Sequence, residues 1–221
     1  MPIGNEEDVS LRALRVLKEV ALVVAEDSRI TRRFLMNYSL ETNVITFGRR
    51  DTENVLSLIL TTLKSGKSVA LVSDSGTPAI ADPGLFVIQE CLNIGTNITG
   101  IHGANAAVLA LSISGFSDGR FVFEGFPPRV SSERQAFFEY LRYEPRTIVI
   151  YESPRFLLST LKTLRDILGQ NRKIMLGFNL TKQNEKIFRG NLEEAILFAH
   201  SEKKRGEITL VIEGNRNKGR E

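Results

Sequence analysis

The chain of 221 residues has one cysteine, Cys91, and that scarcity excludes an internal disulfide. Its only two histidines, His102 and His200, stand far apart with no cysteine cluster around them, so the pattern holds no transition-metal site. No run of about 18 apolar residues occurs, which excludes a membrane-spanning helix by length. The opening "MPIGNEEDVS" has neither a secretory apolar core nor an Arg-rich transit pattern, and a cytoplasmic protein is expected. Internal repeats and low-complexity tracts are missing as well.

What is present is the composition of a folding protein: 42% hydrophobic and 25% charged residues, enough to bury a core. The net charge of +3 permits contact with nucleic acid without requiring it. Arg29, Arg32 and Arg33 have the spacing that shares one face of a helix, Arg49 and Arg50 form a second pair, and "NRNKGRE" a third basic spot. A solvated surface explains each cluster equally well. Cys91 falls in helical register with Val87, Ile88 and Leu92, the position of a buried, inert thiol.

Apolar periodicity alternates strands with amphipathic helices. Leu11, Leu14, Leu17 and Val20 recur at helical spacing, and "ALVVAE" (21–26), "NVITF" (43–47) and "VALV" (69–72) read as strands. Asp51 is the expected N-cap of a helix that runs through Leu63 and stops near Gly66. In "ADPG", Asp82 is the expected N-cap and Pro83 the first helical residue of a helix ending near Asn93. "TNITGI" (96–101) is expected as a strand and "GANAAVLALSISG" as a helix. Such alternation predicts a parallel α/β sheet. The shift to Gly, Ser and Asp in "GFSDGR" divides the chain into an α/β domain at 1–116 and a second at 117–221. In the second half, Asn191 and Glu194 have capping-box spacing, and the strands "RKIMLGFNL" and "EKIFRG" suggest hairpin pairing.

One loop stands out. "SDSGTPAIADPG" (73–84) follows a buried strand and packs two Pro, two Gly, two Asp and three hydroxyl residues into twelve positions. It has few conformations to lose, and it sits at the carboxyl end of a strand, where open parallel sheets bind ligands.

The ordered blocks "PIGNEEDVSLRALRVLKEV", "AEDSRITRRFL", "VALVSDSGTPAIADPG", "FEGFPP", "YESPR", "LTKQNE", "RG" and "GEITLVIEG" resemble the tetrapyrrole (corrin/porphyrin) methylase superfamily, in its branch that modifies ribosomal RNA. The resemblance implies two α/β domains with the ligand cleft between them and S-adenosyl-L-methionine as methyl donor. It further implies 2'-O-methylation of a cytidine ribose in the decoding region of 16S rRNA, within the small ribosomal subunit, by a homodimer. Carried onto these residues, it puts the donor near Gly4, Asp74, Gly76, Thr77, Pro78, Gly103, Ala104 and Tyr151. The catalytic candidates are Glu26, Glu152 and Lys182, from a wider set of motif carboxylates that includes Asp27, Glu124 and Glu185. Arg29, Arg32, Arg33 and Arg155 are the RNA-binding candidates. Two residues have bland alternatives: Glu26 as a helix cap, and Lys182 as the structural partner of Glu185.

Five features depart from that pattern. The family's first strand of the N-terminal domain, which leads into "TPIGN", is not seen before "MPIGN": either this start is too late or the chain has lost an element its relatives use, and such a loss would leave unpaired strand edges and a gap. "HGANA" stands for "PGPSA", "YESPRF" for "YESPHR", and "FGRRDTEN" for a His-bearing segment, while "GFNLTK" lacks an expected Arg. Two alternatives therefore remain beside the enzyme: a weakened relative that binds RNA or a partner, and a methyltransferase with a small-molecule acceptor.

Overall fold

The computed structural model describes residues 1–47, 52–116, 119–201 and 205–215. Arg49, Arg50, Asp51 and most of the basic tail lie outside the described residues. The chain forms two compact units, Met1–Asn105 and Ala106–Glu221.

The first unit runs α1 (Leu11–Glu19), β1 (Leu22–Ala25), α2 (Ser28–Asn37), β2 (Val44–Thr46), α3 (Thr52–Lys64), β3 (Val69–Val72) and α4 (Leu85–Asn93). Its strands make a parallel sheet in the order β2-β1-β3, with Ala25 level with both Thr46 and Val72. β1 is the centre: all four of its residues are buried, as the uninterrupted "LVVA" requires of a strand covered on both faces. Ser10 caps α1 through the Ala13 N–H, and Asp27 caps α2 through the Arg29 N–H. The capping role considered for Glu26 thus belongs to Asp27. Cys91 is buried beside Val87, but Leu92 of the expected apolar register is exposed.

Two expected elements take another form. Asp82 is not a cap: α4 begins only at Leu85, and its N-cap is Gly84 at φ 129°. The expected strand at 96–101 does not form, although Thr96–Ile101 line a groove of about 630 Å³ whose other wall includes Val69–Val72. A strand needs a neighbour's main chain, and among the described residues this segment pairs with none of the strands, while β3 stands at the edge of its sheet. The consequence shows in β3, whose Val69, Ala70 and Leu71 are only half-buried.

The second unit runs α5 (Ala106–Ser114), β4 (Phe121–Phe123), α6 (Ser131–Tyr140), β5 (Thr147–Glu152), α7 (Leu157–Leu168), β6 (Lys173–Phe178), β7 (Lys186–Asn191), α8 (Leu192–Ser201) and β8 (Ile208–Ile212). The sheet order is β4-β5-β8-β6-β7, parallel only between β4 and β5. The expected hairpin is β6 with β7. Between Asn191 and Glu194 each side chain accepts from the other residue's N–H at 2.9 Å, closing the capping box. α5 packs on β5, β6 and β8 and belongs to this unit. The division by contacts therefore precedes α5, whereas the composition shift at 116/117 follows it.

Candidate functional site

In the first unit the loop after β3 is built around a buried Ser73, whose hydroxyl donates to the Gly76 carbonyl at 3.0 Å. Gly76 takes φ 79°, and a Cβ there would sit 3.3 Å from the Ala104 carbonyl oxygen and 3.4 Å from Ile3. Glycine is required twice, by the dihedral and by the close approach. The Thr77 hydroxyl donates to the Ala104 carbonyl at 3.2 Å, and the Met1 ammonium donates to the Gly76 carbonyl at 2.9 Å. Burial holds that ammonium below the ordinary amine range. Gly76, Thr77, Pro78, Gly103 and Ala104, expected as one binding set, thus do converge, at one end of the groove along β3. Gly4 lies next to Ile3, which touches this cluster.

Asp74 faces elsewhere. Its carboxylate accepts from the Asp27 N–H at 2.9 Å, so it ties the loop to the end of β1. Glu26 is there too. Its carboxyl is raised above the usual carboxylate range, first by burial and then by the charge of Asp74. The loop also holds Ala79 at φ 64°, a left-handed conformation that an alanine adopts only when its surroundings impose it.

On α2 the three arginines differ in what they do. Arg29 forms a forked pair with Asp27, drawing that carboxyl down to about 2, while Arg32 donates to the Val44 carbonyl of β2 at 2.7 Å. Arg33 is exposed on the same helix.

In the second unit Tyr151 and Glu152 close β5. The Tyr151 hydroxyl accepts from the Ala107 N–H at 3.2 Å, at the start of α5, and the ring packs edge-to-face on Phe123 and Phe126. Glu152 is 4% exposed, and its carboxylate accepts from Arg134, from the Thr160 hydroxyl and from the Ser153 N–H. Arg134 also donates to the Pro128 carbonyl at 3.0 Å. Arg155 is exposed, its guanidinium 5.4 Å from the Phe156 ring centre. Lys182 pairs with Glu207 at 2.8 Å, whereas Glu185 accepts from the Thr181 N–H. Thr181, at φ 66°, is a second strained residue, and a β-branched one. Sequence reasoning missed Arg134 and Phe126. Nothing marks Arg134 within "SSERQAFF"; Phe126 had a signal, a large aromatic between Gly and Pro.

Among the described residues no group of three or more His, Cys, Asp and Glu side chains is placed to hold a metal ion, and no helix is long and apolar enough to cross a membrane. The groove has the lining of a small-ligand site: apolar Val72, Val87, Ile88 and Ile101 together with the loop residues Gly76–Pro78 and Gly103–Ala104.

Residues 1–196 match the family model described as Tetrapyrrole (Corrin/Porphyrin) Methylases. The chain is 42% identical over 215 residues to "Ribosomal RNA small subunit methyltransferase I" of Thermotoga maritima, covering 96% of this chain and 95% of that protein. It is 40% identical over 216 residues to the protein of the same name from Bacillus subtilis, covering 98% of this chain and 74% of that one. Among solved structures, a cobalt precorrin-4 methyltransferase superposes with a TM-score of 0.70 at 14% identity, covering 95% of this chain and 90% of the other. The uroporphyrin-III-C-methyltransferase from Thermus thermophilus gives a TM-score of 0.67 at 18% identity, covering 96% and 90%.

Proposed function

The chain belongs to the tetrapyrrole (corrin/porphyrin) methylase family, and from that premise we propose that it transfers a methyl group from S-adenosylmethionine to the 2'-hydroxyl of a cytidine ribose in the decoding region of 16S rRNA. The observation that carries the choice of acceptor is identity of 42% along nearly the whole of a protein named for small-subunit rRNA methylation. Likeness to the corrin and porphyrin enzymes, at 14–18% identity, supports the fold and leaves the acceptor to the closer relatives.

The bound donor supplies an electrophilic methyl carbon on a sulfonium; the chain's residues supply position, dryness and a place for the proton. Main-chain groups at Gly76–Pro78 and Gly103–Ala104 hold the donor's polar ends, and apolar side chains of the groove cover its body. Rigidity of the loop, fixed by the Ser73 and Thr77 hydrogen bonds, keeps those groups in place without a binding-time entropy cost. A ribose hydroxyl attacks well only as it loses its proton, so a carboxylate of raised basicity is the suitable acceptor. Glu26 fits that role better than the other two candidates. Glu152 is committed to Arg134 and Thr160, and Lys182 to Glu207. Phosphates are assigned to Arg33 and Arg155, with Arg29 and Arg32 shaping the same helix surface. A cytoplasmic homodimer belongs to the same reading.

The test begins with calorimetric titration of S-adenosylmethionine into the full chain, expected to bind in the micromolar range. Labelled methyl transfer to unmethylated small subunits follows, with the product mapped by the resistance of a 2'-O-methylated linkage to alkali. Folded protein that binds no donor, or transfers only to a tetrapyrrole, refutes the proposal. The open edge of β3 beside the donor end favours one second reading, a relative that binds RNA without transferring methyl. It is distinguished by RNA affinity without donor affinity.

A further inference from the structure

At the carboxyl ends of the parallel pair β4 and β5, the second unit carries an aromatic array in which Tyr151, a residue expected at the donor, is joined by Phe123 and Phe126, to which no role has been given. Phe123 meets Tyr151 with ring centres 4.9 Å apart and planes at 66°; Tyr151 meets Phe126 at 5.5 Å and 61°. Tyr151 is fixed at its far end by the Ala107 N–H, and its own N–H donates to the Gly125 carbonyl at 2.8 Å. Phe126 is therefore held by a ring that cannot turn, yet it remains 59% exposed. What distinguishes Phe126 from the other exposed hydrophobics is its place on an anchored stack of rings, which presents a flat face rather than a loose side chain.

The neighbouring charge says which partner. Arg129, three positions along the same loop, is exposed, and so is Arg155 in the loop that leaves β5 at the same end of the sheet. Of the nearby acidic side chains, Glu152 is buried against Arg134, which removes its charge from that surface, and Glu124 is half-buried beside Phe123, so the two exposed guanidinium groups outnumber the one carboxylate left there. An aromatic face flanked by guanidinium groups has the chemistry of single-stranded RNA binding, in which bases stack on rings and phosphates pair with arginines.

We propose that Phe126 stacks an unpaired base of the RNA substrate, with Tyr151 and Phe123 as its support and Arg129 and Arg155 on the flanking phosphates. The inference rests on the rRNA reading above and deepens it, since it names residues that hold the acceptor strand rather than the donor.

The probe is a short fluorescent oligoribonucleotide without secondary structure, titrated into the full chain by anisotropy, with S-adenosylmethionine affinity measured in parallel. Phe126→Ala is expected to weaken RNA binding about 5- to 150-fold while donor affinity stays unchanged. Phe126→Trp is expected to retain or tighten it. Arg129→Ala should weaken binding at low salt and reduce the slope of log K against log salt by about 0.7. Exposure of Phe126 makes misfolding of its variants a minor concern, and an unchanged melting temperature verifies it. RNA affinity within twofold of wild type for Phe126→Ala overturns the platform while the methyltransferase reading stands. A fall in donor affinity with RNA binding intact overturns it too, assigning the array to the adenine of the donor. Wild-type protein that binds no RNA overturns the rRNA reading and the platform together.

Discussion

Removing one side of the buried Arg134–Glu152 pair should cost far more than removing both. Arg134 on α6, Glu152 at the end of β5 and Thr160 on α7 meet in the interior of the second unit, at 6%, 4% and 0% exposure. Arg134 lies over the rings of Phe138 and Phe156 at 5.7 and 5.5 Å, so no water replaces a lost partner. Arg134→Met leaves a carboxylate in that environment with only Thr160 and the Ser153 N–H. Loss of one partner from such a pair costs about 3–5 kcal/mol. At about 4 °C per kcal/mol for a unit of this size, melting should fall by about 12–20 °C. Glu152→Leu alone should cost as much, since it strands the guanidinium. The double variant Arg134→Met/Glu152→Leu restores an apolar interior and should lie within about 2 kcal/mol of wild type. Denaturant unfolding of the four proteins gives the coupling energy directly. Costs that simply add, with no rescue in the double variant, refute the assignment of a desolvated pair. The same set reports on catalysis. If Glu152 were the proton acceptor, the double variant would fold and transfer no methyl; activity kept there locates the acceptor elsewhere.

Gly76→Ala should weaken donor binding at least tenfold and cost about 1–2 kcal/mol of stability, because its φ of 79° and the Ala104 carbonyl 3.3 Å away both oppose a Cβ; calorimetry and melting read the two effects. Glu26→Gln should abolish the acid limb of the methyl-transfer pH profile. Because the folded-state carboxyl titrates above its ordinary value, ionising it costs stability as pH rises, so the variant should gain stability over wild type at pH 8 and not at pH 4. Asp27 behaves oppositely: its carboxyl is held down to about 2 by Arg29, so the stabilisation is complete above the ordinary value of 3.8 and is lost only as pH falls toward 2. Carbon-detected NMR titration reads that midpoint, and a value near 4 refutes the pairing.

Much of this architecture was legible from local chemistry alone. "LVVA" reads as a strand because an uninterrupted apolar run buries on both faces; α1 reads as a helix from the spacing of Leu11, Leu14, Leu17 and Val20, and α8 from the Asn191–Glu194 box. The rigid loop after β3 was legible as well, because Pro, Gly and Asp after a strand constrain the backbone whatever lies around them. Tertiary structure decided everything that depends on a distant neighbour. Segment 96–101 has the composition of a strand and is not one, because a strand also needs a neighbouring segment's main-chain groups to pair with, which composition does not supply. The last strand, β8, occupies the middle of its sheet, an order that no local pattern encodes. Glu152 and Lys182 looked like chemistry in their motifs, and only the fold shows each engaged by a residue far along the chain, Arg134 and Glu207. Periodicity fixes which face of an element is buried, because burial repeats with the helix or strand; it carries no information on which charged group will be waiting there.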